Sequence, residues 1–177
     1  MNLPNKLTMA RILMVPLFVA AMLIENRAMQ IVAAMIFILA SVTDYLDGYI
    51  ARSRGLITDF GKFMDPIADK LLVMAALIGL VAQQRAHPVC VMLILGREFV
   101  VSGVRLVAAS RGVVIAAGPL GKIKTVLQMI AIVIALFPFA EGGFMWLGGQ
   151  ILLWLSAAVA GWSLVDYIYR NRGVITL

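Results

Sequence analysis

Six apolar runs fill most of this chain, and they leave it one class of fold. They lie at about Leu7 to Ile24, Met29 to Val42, Pro66 to Val81, Pro88 to Ala109, Ile123 to Phe139 and Phe144 to Tyr167, with short polar or glycine-containing segments between. Crossing a hydrocarbon layer of about 30 Å takes roughly 20 residues of helix, so 177 residues hold six spans only if the loops are tiny. The expectation is an all-α integral membrane protein, a single domain over residues 1–177, with six transmembrane helices and no room for a soluble domain. A hydrophobic share of 63% against 14% charged residues excludes an ordinary soluble domain. The second run has only 14 residues of pure hydrocarbon, so its helix must continue through Thr43 to about Arg52, carrying charged residues on its last two turns. The first run, with Lys6 before it and Arg11 within it, resembles a signal peptide but lacks a polar region with a small-residue cleavage site after Ile24. It is read as a retained span.

The charges then orient the spans. On alternate sides of a six-span arrangement, Lys6, Arg11, Arg52, Arg54, Lys62, Arg111, Lys122, Lys124, Arg170 and Arg172 fall on one side and only Arg27 and Arg85 on the other. The positive-inside rule puts both termini in the cytoplasm. The net charge of +6 is thus read as headgroup-facing orientation signals and not as a nucleic-acid surface. The one cysteine, Cys90, excludes a disulfide framework and a cysteine metal site, and is expected to pack; His87, beside Pro88, is expected to be structural or on the surface.

What remains within or near the membrane is a concentration of ionisable groups: Asp44, Asp47, Asp65, Asp69 and Glu98, with Lys70, Arg97 and Arg105. Each costs about 2.5 to 3.5 kcal/mol at a bilayer centre even on a forgiving scale, which calls for a function. At 100° per residue, Asp44, Asp47, Gly48, Ala51 and Arg52 share an arc of about 140° on one helix face, and Gly61, Asp65 and Asp69 an arc of about 80° on the next. Two such faces opposed across a short loop bring four carboxylates together in a polar cavity that opens to the cytoplasm. Four carboxylates in a low-dielectric crevice need a counter-charge, and with no His or Cys nearby in sequence, hard oxygen ligands favour Mg²⁺ or Mn²⁺, one or two ions. Gly48, Ala51 and Gly61 lack bulk where a large ligand would approach the backbone, and Arg52 offers a fork suited to phosphate oxygens. Together these suggest phosphoryl chemistry. Pairing of the aspartates with Arg52, Arg54, Lys62 and Lys70 would explain the charges alone, but requires neither the phasing nor the interleaved small residues.

The pattern D-x-x-D-G-x-x-A-R, eight residues, then G-x-x-x-D-x-x-x-D, resembles the signature of the CDP-alcohol phosphatidyltransferases, and every signature position matches over the 26 residues from Asp44 to Asp69. The opening L-P-N-K-L-T-M-A-R-I resembles the start of that family's first helix. G-R-E-F-V-V-S-G-V-R from Gly96 and P-L-G-K-I-K-T from Pro119 resemble its bacterial branch that uses glycerol 3-phosphate. The resemblance implies that Asp44, Asp47 and Asp65 are metal ligands, and that Asp69 completes the metal site and acts as general base. It further implies two metal ions, a homodimer in the bacterial inner membrane, and CDP-diacylglycerol held by Gly48, Ala51, Arg52 and Gly61 together with Asn5, Thr8 and Arg11. The reaction it implies joins CDP-diacylglycerol to glycerol 3-phosphate, giving phosphatidylglycerophosphate and CMP.

Arg105, about one turn from the cytoplasmic end of the fourth span, and Lys122 and Lys124, opening the fifth, form a basic cluster expected to bind the acceptor's phosphate, with headgroup anchoring as the plainer alternative. A sibling transferase using inositol phosphate, serine or phosphatidylglycerol is the nearest alternative function. A cation-coupled transporter is a distant one, disfavoured because the aspartates gather near one membrane face. Arg97 and Glu98, being adjacent, are expected not to share a helix face, each pairing with a group such as Thr125 or Gln128. Trp146, Trp154, Trp162 and Tyr167 are expected to pack or to anchor at the interface.

Overall fold

A computed structural model describes residues 3–53, 59–113, 115, 119–139 and 142–172; the side chains of 3–6, 45–53, 59–63, 65, 66, 69, 119, 120 and 122 lie outside that description. The described residues form six helices: α1 (Leu3–Leu23), α2 (Arg27–Ser53), α3 (Asp59–Ala82), α4 (Pro88–Ser110), α5 (Pro119–Leu136) and α6 (Phe144–Arg170). The six apolar runs therefore each mark one helix, and α2 continues beyond its hydrocarbon stretch as its length required. Several helix ends differ from the apolar runs by a few residues: α1 starts at Leu3, α5 at Pro119, and α6 runs on to Arg170. The helix of the third run starts at Asp59, ahead of Pro66, because the turn D-F-G-K-F-M-D is helical although too charged to register as apolar, in keeping with the placing of Gly61 on that helix. The fifth helix stops at Leu136, and Phe137 and Phe139 stack on each other just beyond it, ring centroids 5.7 Å apart.

Local chemistry sets several ends. Asn26 opens α2, its Oδ1 accepting from the Ala28 backbone N–H at 2.9 Å. His87 caps α4, its Nδ1 accepting from the Val89 N–H at 3.3 Å, with Pro88 at the first helical position where no N–H is needed. His87 also lies against Trp154, centroids 5.6 Å apart, so its role is structural as expected. Gly112, at φ +75, closes α4 in the left-handed region that glycine enters without penalty.

The helices fall into two compact units, Met1–Gln83 with Leu136–Phe139, and Gln84–Ala135 with Ala140–Leu177. In the first, Arg11 meets Asp44 and Phe18 meets Phe37, so α1 and α2 run antiparallel. Met22 at the end of α1 takes a 2.6 Å hydrogen bond on its carbonyl from Gln83 Nε2, and its thioether fills the space that Gly79 leaves open, so α3 runs parallel to α1. In the second, Cys90, Arg97 and Arg105 meet Leu153, Ser163 and Tyr167 in the same order, so α4 and α6 are parallel. Glu98 meets Lys124 and Arg85 approaches Ala135, so α5 runs antiparallel to α4. Cys90 is buried, with its thiol against the Leu153 carbonyl at 3.3 Å, as a packing residue should be.

The exterior is rich in large apolar side chains, and several polar ones are buried within an otherwise apolar core. Leu13, Leu17, Met92, Leu106, Trp162 and Val165 are exposed, whereas Thr8, Arg11, Arg97, Lys124, Gln128, Ser156 and Ser163 are buried. Among the described residues Arg27–Asp44 and Phe144–Arg170 are long and apolar enough to cross a membrane, and Leu7–Leu23, Lys70–Ala82 and Ile123–Leu136 form shorter apolar stretches. An apolar exterior around polar interior groups fits a protein whose solvent is lipid.

Candidate active site

In the first unit the signature continues the packing stripe of its helices. Ala33, Ala34, Phe37 and Ala40 are the buried face of α2, and at 100° per residue positions 44, 47, 48, 51 and 52 fall in that same arc, within about 20°. On α3 the buried residues Ala68, Leu72, Ala76, Leu77 and Leu80 define an arc of about 180° that also contains positions 61, 65 and 69. Both helices pack on α1, and on each other. By helical phasing alone, the signature positions share the arcs that the described packing residues define on α2 and α3.

Asp44 is the one signature carboxylate whose side chain is described. It is 35% exposed and forms an ion pair with Arg11, which is fully buried on α1. Thr8, one turn before Arg11, is buried as well. Two residues assigned from sequence to different tasks, Asp44 to metal and Arg11 to CDP-diacylglycerol, therefore touch. Asp47, Asp65 and Asp69, and with them Asn5, Gly48, Ala51, Arg52 and Gly61, lie outside the described side chains. Among the described residues no three His, Cys, Asp or Glu side chains gather.

In the second unit Glu98 organises the charge. Its Oε1 accepts from Lys124 Nζ at 2.6 Å and from Arg97 Nη1 at 2.9 Å, while Arg97 Nη2 donates to Ser163 on α6 at 3.0 Å. One carboxylate thus ties α4 to α5, and through Arg97 to α6. Arg97 and Glu98 lie on different faces as expected, their Cβ atoms about 100° apart, yet they pair because the long arginine stem bends back across that angle. Thr125 and Gln128 are not their partners. The Thr125 hydroxyl donates to the Gly121 carbonyl at 2.9 Å, and the Gln128 side-chain oxygen is buried with no partner among the described residues. Within α4 and α5, Glu98 is the one acidic residue in the sequence, a signal that some cation of those helices had to come to it.

Of the three residues expected to take the acceptor's phosphate, Lys124 is 2% exposed and engaged by Glu98. Arg105, seven residues and two turns after Glu98, places its Cζ 5.8 Å from the centroid of the Tyr167 ring. Lys122 lies outside the described side chains. Sequence reasoning gave Ser163 no role and gave Tyr167 packing or interfacial anchoring; nothing in their local sequence distinguishes them from other α6 residues.

Comparison with known proteins then decides the family. The model of the CDP-alcohol phosphatidyltransferase family matches residues 1–162. The chain belongs to this family. Among relatives, a Rickettsia felis protein is 44% identical over 88% of this chain and 87% of its own length, and a Bacillus subtilis protein 42% identical over 96% and 95%. One from Arabidopsis thaliana is 39% identical over 96% of this chain and 79% of its own length. The first two are named CDP-diacylglycerol–glycerol-3-phosphate 3-phosphatidyltransferase, and the third carries the same name with the number 2. The family match spans all of α1 to α5 and most of α6, so it takes in the signature helices and, of the Glu98 network, Arg97, Glu98 and Lys124 but not Ser163.

Proposed function

We propose that this protein is a phospholipid-synthesising enzyme that transfers the phosphatidyl group of CDP-diacylglycerol to sn-glycerol 3-phosphate, releasing CMP. The observation that carries this is the family match over residues 1–162, with relatives named for that reaction at 42–44% identity over most of their length. In this reading an acceptor hydroxyl oxygen attacks the phosphorus that carries diacylglycerol. The bond from that phosphorus to CMP breaks, and the hydroxyl proton passes to Asp69. Asp44, Asp47, Asp65 and Asp69 would hold Mg²⁺ or Mn²⁺, two ions, which when bound polarise the phosphates and stabilise the departing charge. The chain's own features fit such ions. The donors are hard oxygens, and the one described carboxylate, Asp44, already draws a buried cation, Arg11.

Gly48, Ala51 and Gly61 admit the CDP moiety close to the backbone, where Arg52, Asn5, Thr8 and Arg11 bind it. Arg11 has a second task, to neutralise Asp44. Arg105, Lys122 and Lys124 take the phosphate of the acceptor, and Glu98 fixes the Lys124 ammonium in place. All six helices span the bacterial inner membrane as one domain with both termini in the cytoplasm, a topology supported by the charge distribution and the apolar exterior. The lipid tails remain among membrane lipids throughout, and the enzyme works as a homodimer.

Radiolabelled glycerol 3-phosphate supplied to the purified protein tests the reading. Label should enter lipid only when CDP-diacylglycerol is present, with one CMP released per lipid formed. Incorporation of serine or inositol phosphate instead would move the protein to a sibling activity.

A further inference from the structure

Tyr167 sits in the last turn of α6, is only 8% exposed, and its hydroxyl has no hydrogen-bond partner among the described residues. Buried hydroxyls of native proteins are nearly always bonded, and each exception calls for an explanation. The guanidinium of Arg105 lies over the same ring, and its Nε is also buried and without a partner among the described residues. A guanidinium only donates, whereas a phenol can donate or accept, so a single acceptor placed between them would satisfy both. Arg97 Nε too has no partner among the described residues, so the greater weight falls on the hydroxyl. The contrast one level deeper along the α4–α6 contact is informative. There Arg97 is met by Ser163 and Glu98, side chains of the protein itself. At the Arg105 level the protein provides an aromatic face and an unused hydroxyl, with no acidic partner among the described residues.

We infer that Tyr167 is an acceptor-binding residue: its hydroxyl and the Arg105 guanidinium together hold one phosphate monoester, that of glycerol 3-phosphate. The inference rests on the reading of Arg105 as a phosphate-binding residue. The ring keeps the guanidinium flat against α6 by cation–π contact, and the hydroxyl adds a neutral donor to a dianion whose three oxygens take several hydrogen bonds at once. Tyr167 lies outside residues 1–162, the part matched by the family model, so it supplies this interaction from beyond the shared signature.

Tyr167→Phe tests it, since the substitution removes one oxygen and keeps the ring beneath Arg105. In the detergent-solubilised protein without substrates, melting temperature should be unchanged or higher, because an unpaired buried hydroxyl has gone. The KM for glycerol 3-phosphate should nevertheless rise at least fivefold, the KM for CDP-diacylglycerol stay within twofold, and the thermal stabilisation by glycerol 3-phosphate alone shrink. A change in melting temperature with both constants unaltered would overturn the inference in favour of plain packing. A lipid headgroup as the phosphate source would instead make activity respond to the phosphatidylglycerol content of the micelles and leave the glycerol 3-phosphate constant unmoved, which also overturns it. Arg105→Ala measured alongside separates the two layers. If it leaves the glycerol 3-phosphate KM unchanged, the acceptor-site reading itself fails; if it raises that KM while Tyr167→Phe does not, only the role of Tyr167 is lost.

Discussion

The two three-helix units differ in how their described charges are paired. In the α1–α3 unit the described signature carboxylate, Asp44, meets the buried Arg11 of α1. In the α4–α6 unit one glutamate, Glu98, serves two cations, Arg97 and Lys124, with Arg105 two turns further along the same helix. An interior rich in carboxylates is completed by cations and one rich in guanidinium and ammonium groups by anions. The transfer of a phosphatidyl group to a phosphorylated acceptor needs both, a metal-held diphosphate and a place for a second phosphate. The proposed function assigns the metal and CDP-diacylglycerol to the first unit and the acceptor's phosphate to the second, and each assignment can be attacked separately.

The largest effect is expected from the acidic unit. Excess EDTA should abolish turnover, and added Mg²⁺ or Mn²⁺ should restore it; full activity in the chelator would remove metal from the proposed mechanism. Asp69→Asn comes next, with kcat lower by about 10² to 10⁴, the range expected when a general base is lost. Binding of CDP-diacylglycerol should fall far less, and a parallel fall in both would take the base role away from Asp69.

The basic unit should respond first in stability. Glu98→Ala leaves Arg97 and Lys124 without their shared carboxylate. Removing one partner of a buried ion pair costs about 3 to 5 kcal/mol, and the lower end applies here because the carboxylate is partly exposed. Glu98→Gln, which keeps an oxygen acceptor, should recover part of the loss in melting temperature; equal losses in the two variants would show that the charge alone matters. Smallest is the effect of Arg105→Ala on the acceptor, a rise of about tenfold in the glycerol 3-phosphate KM, the loss of one charge-assisted hydrogen bond.

The two units also differ in how far they could be read from sequence. The 14-residue apolar run was too short to span, which required α2 to run on to about Arg52, and it ends at Ser53. The signature made that unit legible because helical spacing is a property of the chain alone. Hydropathy alone misses the charged first turn of α3, but the spacing of Gly61, Asp65 and Asp69 places it on that helix, which starts at Asp59. In the second unit what counts is which side chains cross between helices. Glu98 could be recognised as needing a cation, but the choice of Lys124 over Thr125 or Gln128 depends on the rotation of α5 about its axis, and the reach of Arg97 to its neighbour depends on a rotamer. Tyr167 gave no signal, because an aromatic residue near a helix end is ordinary and only its unpaired hydroxyl sets it apart.

The division between the units is tested most directly by a crossed measurement, the KM for each substrate in Asp44→Asn and in Lys124→Ala, in one lipid composition and at saturating metal. We expect Asp44→Asn to raise the constant for CDP-diacylglycerol and the metal requirement while leaving that for glycerol 3-phosphate within twofold. Lys124→Ala should do the reverse, raising the glycerol 3-phosphate constant about tenfold, the equivalent of about 1.4 kcal/mol. Equal shifts of both constants in both variants would contradict the assignment of one substrate to each unit.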